Sequence, residues 1–283
     1  MTTNLPFGII LSVRPAFIEQ LQNAWTRSNS FLCVGLDPTP NRFPESLSRD
    51  EHGVYQFCAE IIDATQSYVC AFKPQFAHFA ALGFENVLAE VVDYIHDKYP
   101  HVPVILDAKR GDVGSTAERY AEEAFVRYNA DAVTVNPYLG WDSVVPFTEH
   151  AGRGVILICR TSNADGGWLQ EYPVDDPAYL RVARLAAEKD KGNLMLVLGA
   201  TFPDLIGMVR QEVPSMPFLI PGVGTQGGDL DRVLDQGRSI DNTGLVINAS
   251  RSVIHASDDD DFGAAAEAAA RDLASKMEII SKR

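Results

Sequence analysis

Short apolar runs recur along the chain, separated by longer stretches with helical spacing. The runs are Phe31–Leu36, Tyr68–Phe72, Val102–Leu106, Ala132–Val135, Gly154–Ile158, Leu194–Leu198, Pro217–Ile220 and Gly244–Ile247. Most are continuously apolar and do not alternate, as expected of parallel strands covered by helices. Between them, Phe84, Val87, Leu88, Val91, Val92 and Ile95 fall on one stripe of a helix. Val54, Phe57, Cys58, Ile61 and Ile62 repeat that spacing. Ser115-Thr116-Ala117-Glu118 has the form of a capping box and predicts a helix start just after the third strand. An Ala-rich helix is predicted over Gly263–Ile280, with the acidic run Asp258–Asp261 complementing its N-terminus.

Eight strands alternating with helices predict an α/β fold, a closed (β/α)₈ TIM barrel, with an open doubly wound sheet as the competing arrangement. No Ser/Gly-rich linker divides the 283 residues, so one barrel domain over 1–283 is expected. It would include an N-terminal helical extension at about 14–28 and a long polar loop at about 161–180 after the fifth strand. A loop of that length is often an active-site lid.

Composition narrows the class. Apolar residues make up 46% of the chain and charged residues 22%, enough for a sizeable core. Lys plus Arg is 24 against 38 for Asp plus Glu, a net charge of -14. That balance speaks against a nucleic-acid or anionic-membrane partner, although a small anion fits if positive charge is concentrated in one site. No apolar run is long enough for a transmembrane helix, and the opening MTTNLPFGIILSVRPAF does not read as a signal peptide. Cys33, Cys58, Cys70 and Cys159 stand alone, and the six histidines show no HxH or HExxH spacing, so no metal site is signalled. Trp141 and Trp168 are expected to pack or to anchor loops. A cytoplasmic enzyme is the simplest class.

The segment VILDAKRGDVGSTA, residues 104–117, carries the strongest chemical signal. Asp107 and Lys109 are two apart at a strand end, so their side chains are expected on one side. Asp112 follows three residues later, and two carboxylates could hold one lysine charged between them. Lys73 ends the second strand and Asp37 the first, so three neighbouring strands deliver ionisable groups to the rim where barrels carry their sites. After the seventh strand, PGVGTQGG (221–228) contains G-x-G-x-x-G, but no acidic ribose ligand stands at the spacing a dinucleotide fold requires. Glycine-rich backbone can instead approach a phosphate, with Gln226 donating from its amide and Arg251, after the eighth strand, forming paired bonds.

These segments together resemble the orotidine 5'-phosphate decarboxylase family, in its longer bacterial (type 2) subgroup. The resemblance rests on FLCVGLDP (31–38), FKPQ (72–75), LDAKRGDVGSTA (106–117), VNPYLG (135–140), RTSN (160–163), PGVGTQGGD (221–229) and NASRS (248–252). It implies conversion of orotidine 5'-phosphate to uridine 5'-phosphate (UMP) and carbon dioxide, the last step of UMP biosynthesis, without metal or organic cofactor. By resemblance, Lys109 is the proton donor, Asp107 and Asp112 flank it, and Lys73 is the second lysine. Asp37 matches the ribose ligand, Ser162 the pyrimidine contact, and Gln226 and Arg251 the phosphate ligands. Asp112 and Thr116 match residues that enter the neighbouring subunit's site, which implies a homodimer. Two departures stand out: Ala164 replaces the subgroup's usual proline, and His255 stands where tyrosine is expected.

Three other readings stay open on the residues alone. A metal-dependent sugar-phosphate decarboxylase shares D-x-K-x-x-D but needs an acidic ligand where Lys73 would repel a cation. A nucleotide-binding barrel without catalysis would need no proton donor. A Schiff-base aldolase requires a neutral lysine, unlike one flanked by carboxylates.

Overall fold

A computed structural model describes residues 14–223 and 228–279. Its eight strands are β1 (Leu32–Leu36), β2 (Ala71–Pro74), β3 (Ile105–Arg110), β4 (Ala132–Val135), β5 (Gly154–Arg160), β6 (Leu194–Leu198), β7 (Phe218–Pro221) and β8 (Leu245–Ala249). All the strand pairs are parallel, in the order β2-β1-β8-β7-β6-β5-β4-β3. The seam between β2 and β3 is thin. It holds two isolated bridges, Phe72 to Val104 and Gln75 to Asp107. With these the eight strands form a nearly closed barrel.

Helices follow the strands because each strand buries both faces. The stripe predicted over Phe84–Ile95 lies on the helix Glu85–Lys98, which buries Val87, Leu88, Val91, Val92 and Ile95. The helix Glu51–Thr65 buries Val54, Phe57, Cys58, Ile61 and Ile62, and Asp50 caps it by accepting from the Gly53 amide. Five strands extend further towards their C-termini than the apolar runs do. A run ends at its first polar residue, whereas the ladder continues through Lys73, Asp107, Arg160 and Asn248.

Three local expectations need correction. The helix after β3 begins at Gly114, with Val113 at the cap position and no side-chain cap. Gly114 takes φ 56°, which turns the chain one residue early and leaves Ser115 inside the first turn. The last helix spans Phe262–Lys276 and stops short of Ile280, which lies outside the described residues; Glu278 instead bridges to Ser30. Residues 161–180 are not one irregular loop. They carry a 3₁₀ turn at Ala164–Gly166 and a short helix at Gly167–Gln170, and the next long helix begins at Ala178.

The helix Phe17–Ser28 covers the N-terminal end of the barrel. Trp25 Nε1 donates to the carbonyl of Leu245 at 2.8 Å, and Phe17 lies over the start of β5. A Cβ on Gly154 would meet the Phe17 ring at 2.1 Å, so only glycine fits there. Buried Asp131, just before β4, accepts from Arg14, Gln20, His96 and the Val104 amide, tying that helix to the barrel floor. All four cysteines are buried and unpaired. Among the described residues no helix is long and apolar enough to cross a membrane.

Candidate active site

The C-terminal end of the barrel gathers the charged strand ends. Lys73 Nζ lies 2.8 Å from Asp107 Oδ2, and Lys109 Nζ lies 2.6 Å from Asp107 Oδ1. One carboxylate thus serves two ammonium groups. The lysines differ in access: the Lys73 side chain is 4% exposed and that of Lys109 is 49% exposed. Burial alone would lower the Lys73 ammonium, but Asp107 and Asp37 outweigh it and hold it above its ordinary value. Burial likewise pushes the Asp107 carboxyl up, while Lys73 and Lys109 pull harder and keep it well below the usual carboxylate range. The array is therefore charged, with an accessible cation on its open side.

Asp107 and Lys109 meet on one side, but not through regular pleating. The β3–β4 register shifts between Leu106 and Arg110, and Lys109 takes φ 47°. A bulge of this kind re-aims a side chain. Two residues that complete the carboxylate's surroundings were not singled out in the sequence. Gln75 Nε2 donates to Asp107 Oδ2 at 3.0 Å, and Thr134 Oγ1 to Asp107 Oδ1 at 3.0 Å. The signal for Thr134 was present: it is the lone polar residue in the run Ala132–Val135. Asp37 follows β1, and its Oδ1 is buried without a hydrogen-bond partner among the described residues.

Ser162 lies just past β5, on a loop held from several directions. Its carbonyl accepts from Thr201 Oγ1 at 2.9 Å, and its own hydroxyl makes no hydrogen bond among the described residues. The preceding Arg160 is almost fully buried. Its guanidinium pairs with Glu171 at 2.6 Å, reaches the carbonyls of Thr161 and Asn163, and lies 4.0 Å from the Phe202 ring centre. Gln170 Oε1 accepts from the Thr161 amide at 2.9 Å. Residues 160–171 are thus closed on themselves around Ser162. Trp168 does not anchor this loop, because it is 76% exposed; Trp141 is partly buried against the core.

Arg251 is exposed at the start of the short helix Arg251–Ile254, and its side chain makes no ion pair among the described residues. The preceding Ser250 packs on β1, since a Cβ on Gly35 would lie 1.9 Å from Ser250 Oγ. Gln226 lies outside the described residues. Asp112 does not reach its own chain's Lys109. Its Oδ1 accepts from the Val113 amide at 2.8 Å instead. Thr116 is exposed in the first turn of the helix Gly114–Glu122. A cavity of about 710 Å³ opens beside Lys109, between Asn136, Trp141, Leu169 and Gln170.

Likenesses to known proteins show the family. Residues 30–268 match the model of the "Orotidine 5'-phosphate decarboxylase / HUMPS family". An orotidine 5'-phosphate decarboxylase of Ralstonia pickettii is 53% identical over 266 residues, covering 93% of this chain and 97% of that protein. Among solved structures, Leishmania donovani UMP synthase superposes with a TM-score of 0.83 at 37% identity, over 93% of this chain. This chain spans 56% of that longer one. Leishmania donovani OMP decarboxylase gives a TM-score of 0.78 at 36% identity, over 91% of this chain and 95% of that one. The charged array on the barrel rim and these likenesses converge: the chain belongs to the orotidine 5'-phosphate decarboxylase / HUMPS family.

Proposed function

We propose that this protein decarboxylates orotidine 5'-phosphate to uridine 5'-phosphate and carbon dioxide, the closing step of UMP biosynthesis. The observation that carries the reading is the Lys73–Asp107–Lys109 array, with Lys109 the accessible cation. Breaking the bond between ring carbon 6 and the carboxyl carbon leaves an electron pair on carbon 6. That pair lies in the ring plane and cannot spread into the ring carbonyls. A fixed ammonium facing it supplies electrostatic stabilisation without reorganising solvent. Lys109 then transfers a proton to carbon 6, and the resulting amine regains one from water. Asp107 aims Lys109, while Lys73 balances the buried carboxylate.

The remaining roles follow the chemistry each residue offers. Asp37, with an oxygen that has no partner among the described residues, suits a ribose hydroxyl. Ser162, on a braced loop and with a hydroxyl that makes no hydrogen bond among the described residues, suits the pyrimidine edge. Arg251 and Gln226 suit the phosphate, whose binding energy supports the remote chemical step. Asp112 makes no contact with its own Lys109 and accepts from the Val113 amide, in keeping with a homodimer in which the partner subunit's Asp112 and the partner subunit's Thr116 complete the site. The cavity beside Lys109 leaves room for such a segment. The reaction written this way needs no metal or organic cofactor. A cytoplasmic setting accords with four unpaired thiols.

One ultraviolet assay tests the reading. Purified protein with orotidine 5'-phosphate is expected to lose the substrate absorbance at the same rate with and without a chelator. Absence of turnover, or turnover that stops on chelation, overturns it.

A further inference from the structure

Thr134 is buried in the middle of β4, and its hydroxyl oxygen has three close partners. It lies 3.0 Å from the Ala108 amide nitrogen, 2.9 Å from the Lys109 amide nitrogen and 3.0 Å from Asp107 Oδ1. Both amides can only donate, so they occupy the hydroxyl's two lone pairs. Its single proton is left for the carboxylate. The direction of all three bonds is therefore fixed by the inventory of donors and acceptors.

The three partners are successive residues of β3, in the stretch where the register against β4 slips. A bulge leaves peptide N–H groups without ladder partners, and burying them unpaired is costly. Thr134 takes two of these groups. It also supports the left-handed backbone of Lys109, φ 47°, a conformation that is costly for a residue with a side chain. From the same atom it fixes the rotation of the carboxylate on which the Lys109 ammonium rests.

We propose that Thr134 is a positioning residue for the decarboxylation, acting through Lys109. Its hydroxyl holds the bulge that folds Lys109 back onto Asp107, and it anchors the oxygen that Lys109 contacts. The inference rests on the reading of Lys109 as the proton donor. Serine keeps all three bonds. Valine keeps the shape and loses all three.

Steady-state kinetics of Thr134→Val and Thr134→Ser, with Lys109→Ala alongside, test the role. Thr134→Val is expected to lower kcat by about 10- to 100-fold, the cost of a misplaced reacting group. KM should stay within about threefold, because the lost interaction acts on the chemical step. Thr134→Ser should retain at least about half of the original kcat. If the valine protein does not fold, Thr134→Ala lacks the same hydroxyl and carries the same expectation. A valine or alanine variant with unchanged kcat overturns the proposal, even if its melting temperature falls. So does a serine variant as slow as the valine one, or a rise in KM alone. Normal turnover by Lys109→Ala would instead refute the reading of Lys109, and is distinguishable because Thr134 is untouched in that variant.

Discussion

Gly199 leaves no room between itself and Ser162: a Cβ at Gly199 would lie 2.4 Å from the Ser162 Cα and 2.6 Å from its nitrogen. The Gly199 amide also donates to the Arg160 carbonyl at 2.7 Å. The turn after β6 is therefore pressed directly against the loop that presents Ser162. Gly199→Ala should push that loop away from the barrel axis. We expect kcat/KM for orotidine 5'-phosphate to fall by about 10- to 100-fold, as for other small displacements of positioned groups. Unchanged kinetics in a folded Gly199→Ala protein would mean that Ser162 is not where substrate is read.

Much of this arrangement was legible in the sequence, and the rest was hidden for identifiable reasons. The strands and the helices Glu51–Thr65 and Glu85–Lys98 followed from apolar spacing, because each buries an unbroken stripe. Strand ends did not. Lys73 and Asp107 belong to the ladder, yet their polarity ends an apolar run. The bulge at Lys109 was invisible, since a left-handed lysine has no signature when its support comes from Thr134 on another strand. Gln75 was hidden for the same reason, as its partner lies 32 residues away. Asp112 stood near Lys109 in sequence, but in the fold its Oδ1 accepts from the neighbouring Val113 amide and not from Lys109.

Removing the proposed proton donor should separate chemistry from folding. Lys109 is half exposed, so Lys109→Ala takes little from the core. We expect kcat to drop by at least about 10³-fold, through loss of both general acid and charge stabilisation. The melting temperature should hardly change. Asp107→Asn should behave differently, because it leaves the buried Lys73 ammonium without its carboxylate. Breaking a buried pair of this kind costs about 3–5 kcal/mol, readable as a lower denaturant midpoint.

The proposed phosphate ligand Arg251 makes a graded prediction. Arg251 is exposed, and nothing among the described residues pairs with it. Arg251→Ala should lower kcat/KM by roughly 10- to 100-fold, the worth of a charge-assisted contact of about 1.5–3 kcal/mol. Titration with inorganic phosphate as a competing ligand should show weaker inhibition of the variant than of the parent protein.

Acid stability should fall in two windows. The His255 ring is stacked 5.4 Å from Phe57, and neither ring nitrogen has a partner among the described residues. Burial, reinforced by Arg42 and opposed by Asp258 and Asp37, lowers it from 6.5 to about 4. The folded protein therefore takes up this proton less readily than the unfolded chain. Its contribution is complete above about pH 6.5 and is lost as pH falls towards 4. Asp131 is lowered to about 2 by the His96 hydrogen bond and charge, Arg14 and the Val104 amide, against burial. Stability from that group is present above the ordinary carboxylate value and is lost only as pH falls towards 2. Urea midpoints measured against pH should show both steps, and His255→Leu should remove the upper one alone.

Arg160 should prove to be the brace of the 160–171 loop. Its charge is buried and met by Glu171. Glu171→Gln weakens that pair from the exposed side without opening the core. We expect amide hydrogen exchange over 161–171 to accelerate by about tenfold, equivalent to roughly 1.4 kcal/mol of local stability. Exchange over β1 and β8 should stay as it was. Acceleration spread evenly through the barrel would instead mean that the pair supports the fold at large.

The seam between β2 and β3 ties catalysis to architecture. Across it the backbone supplies few ladder bonds, but Lys73 and Gln75 both reach Asp107. The groups that surround the carboxylate beside Lys109 are thus also the clasp that shuts the hoop. Replacing Lys73 with a neutral residue would do more than alter a charge: it would unfasten the ring at its weakest joint, and the reaction's electrostatics would loosen together with the wall that holds them.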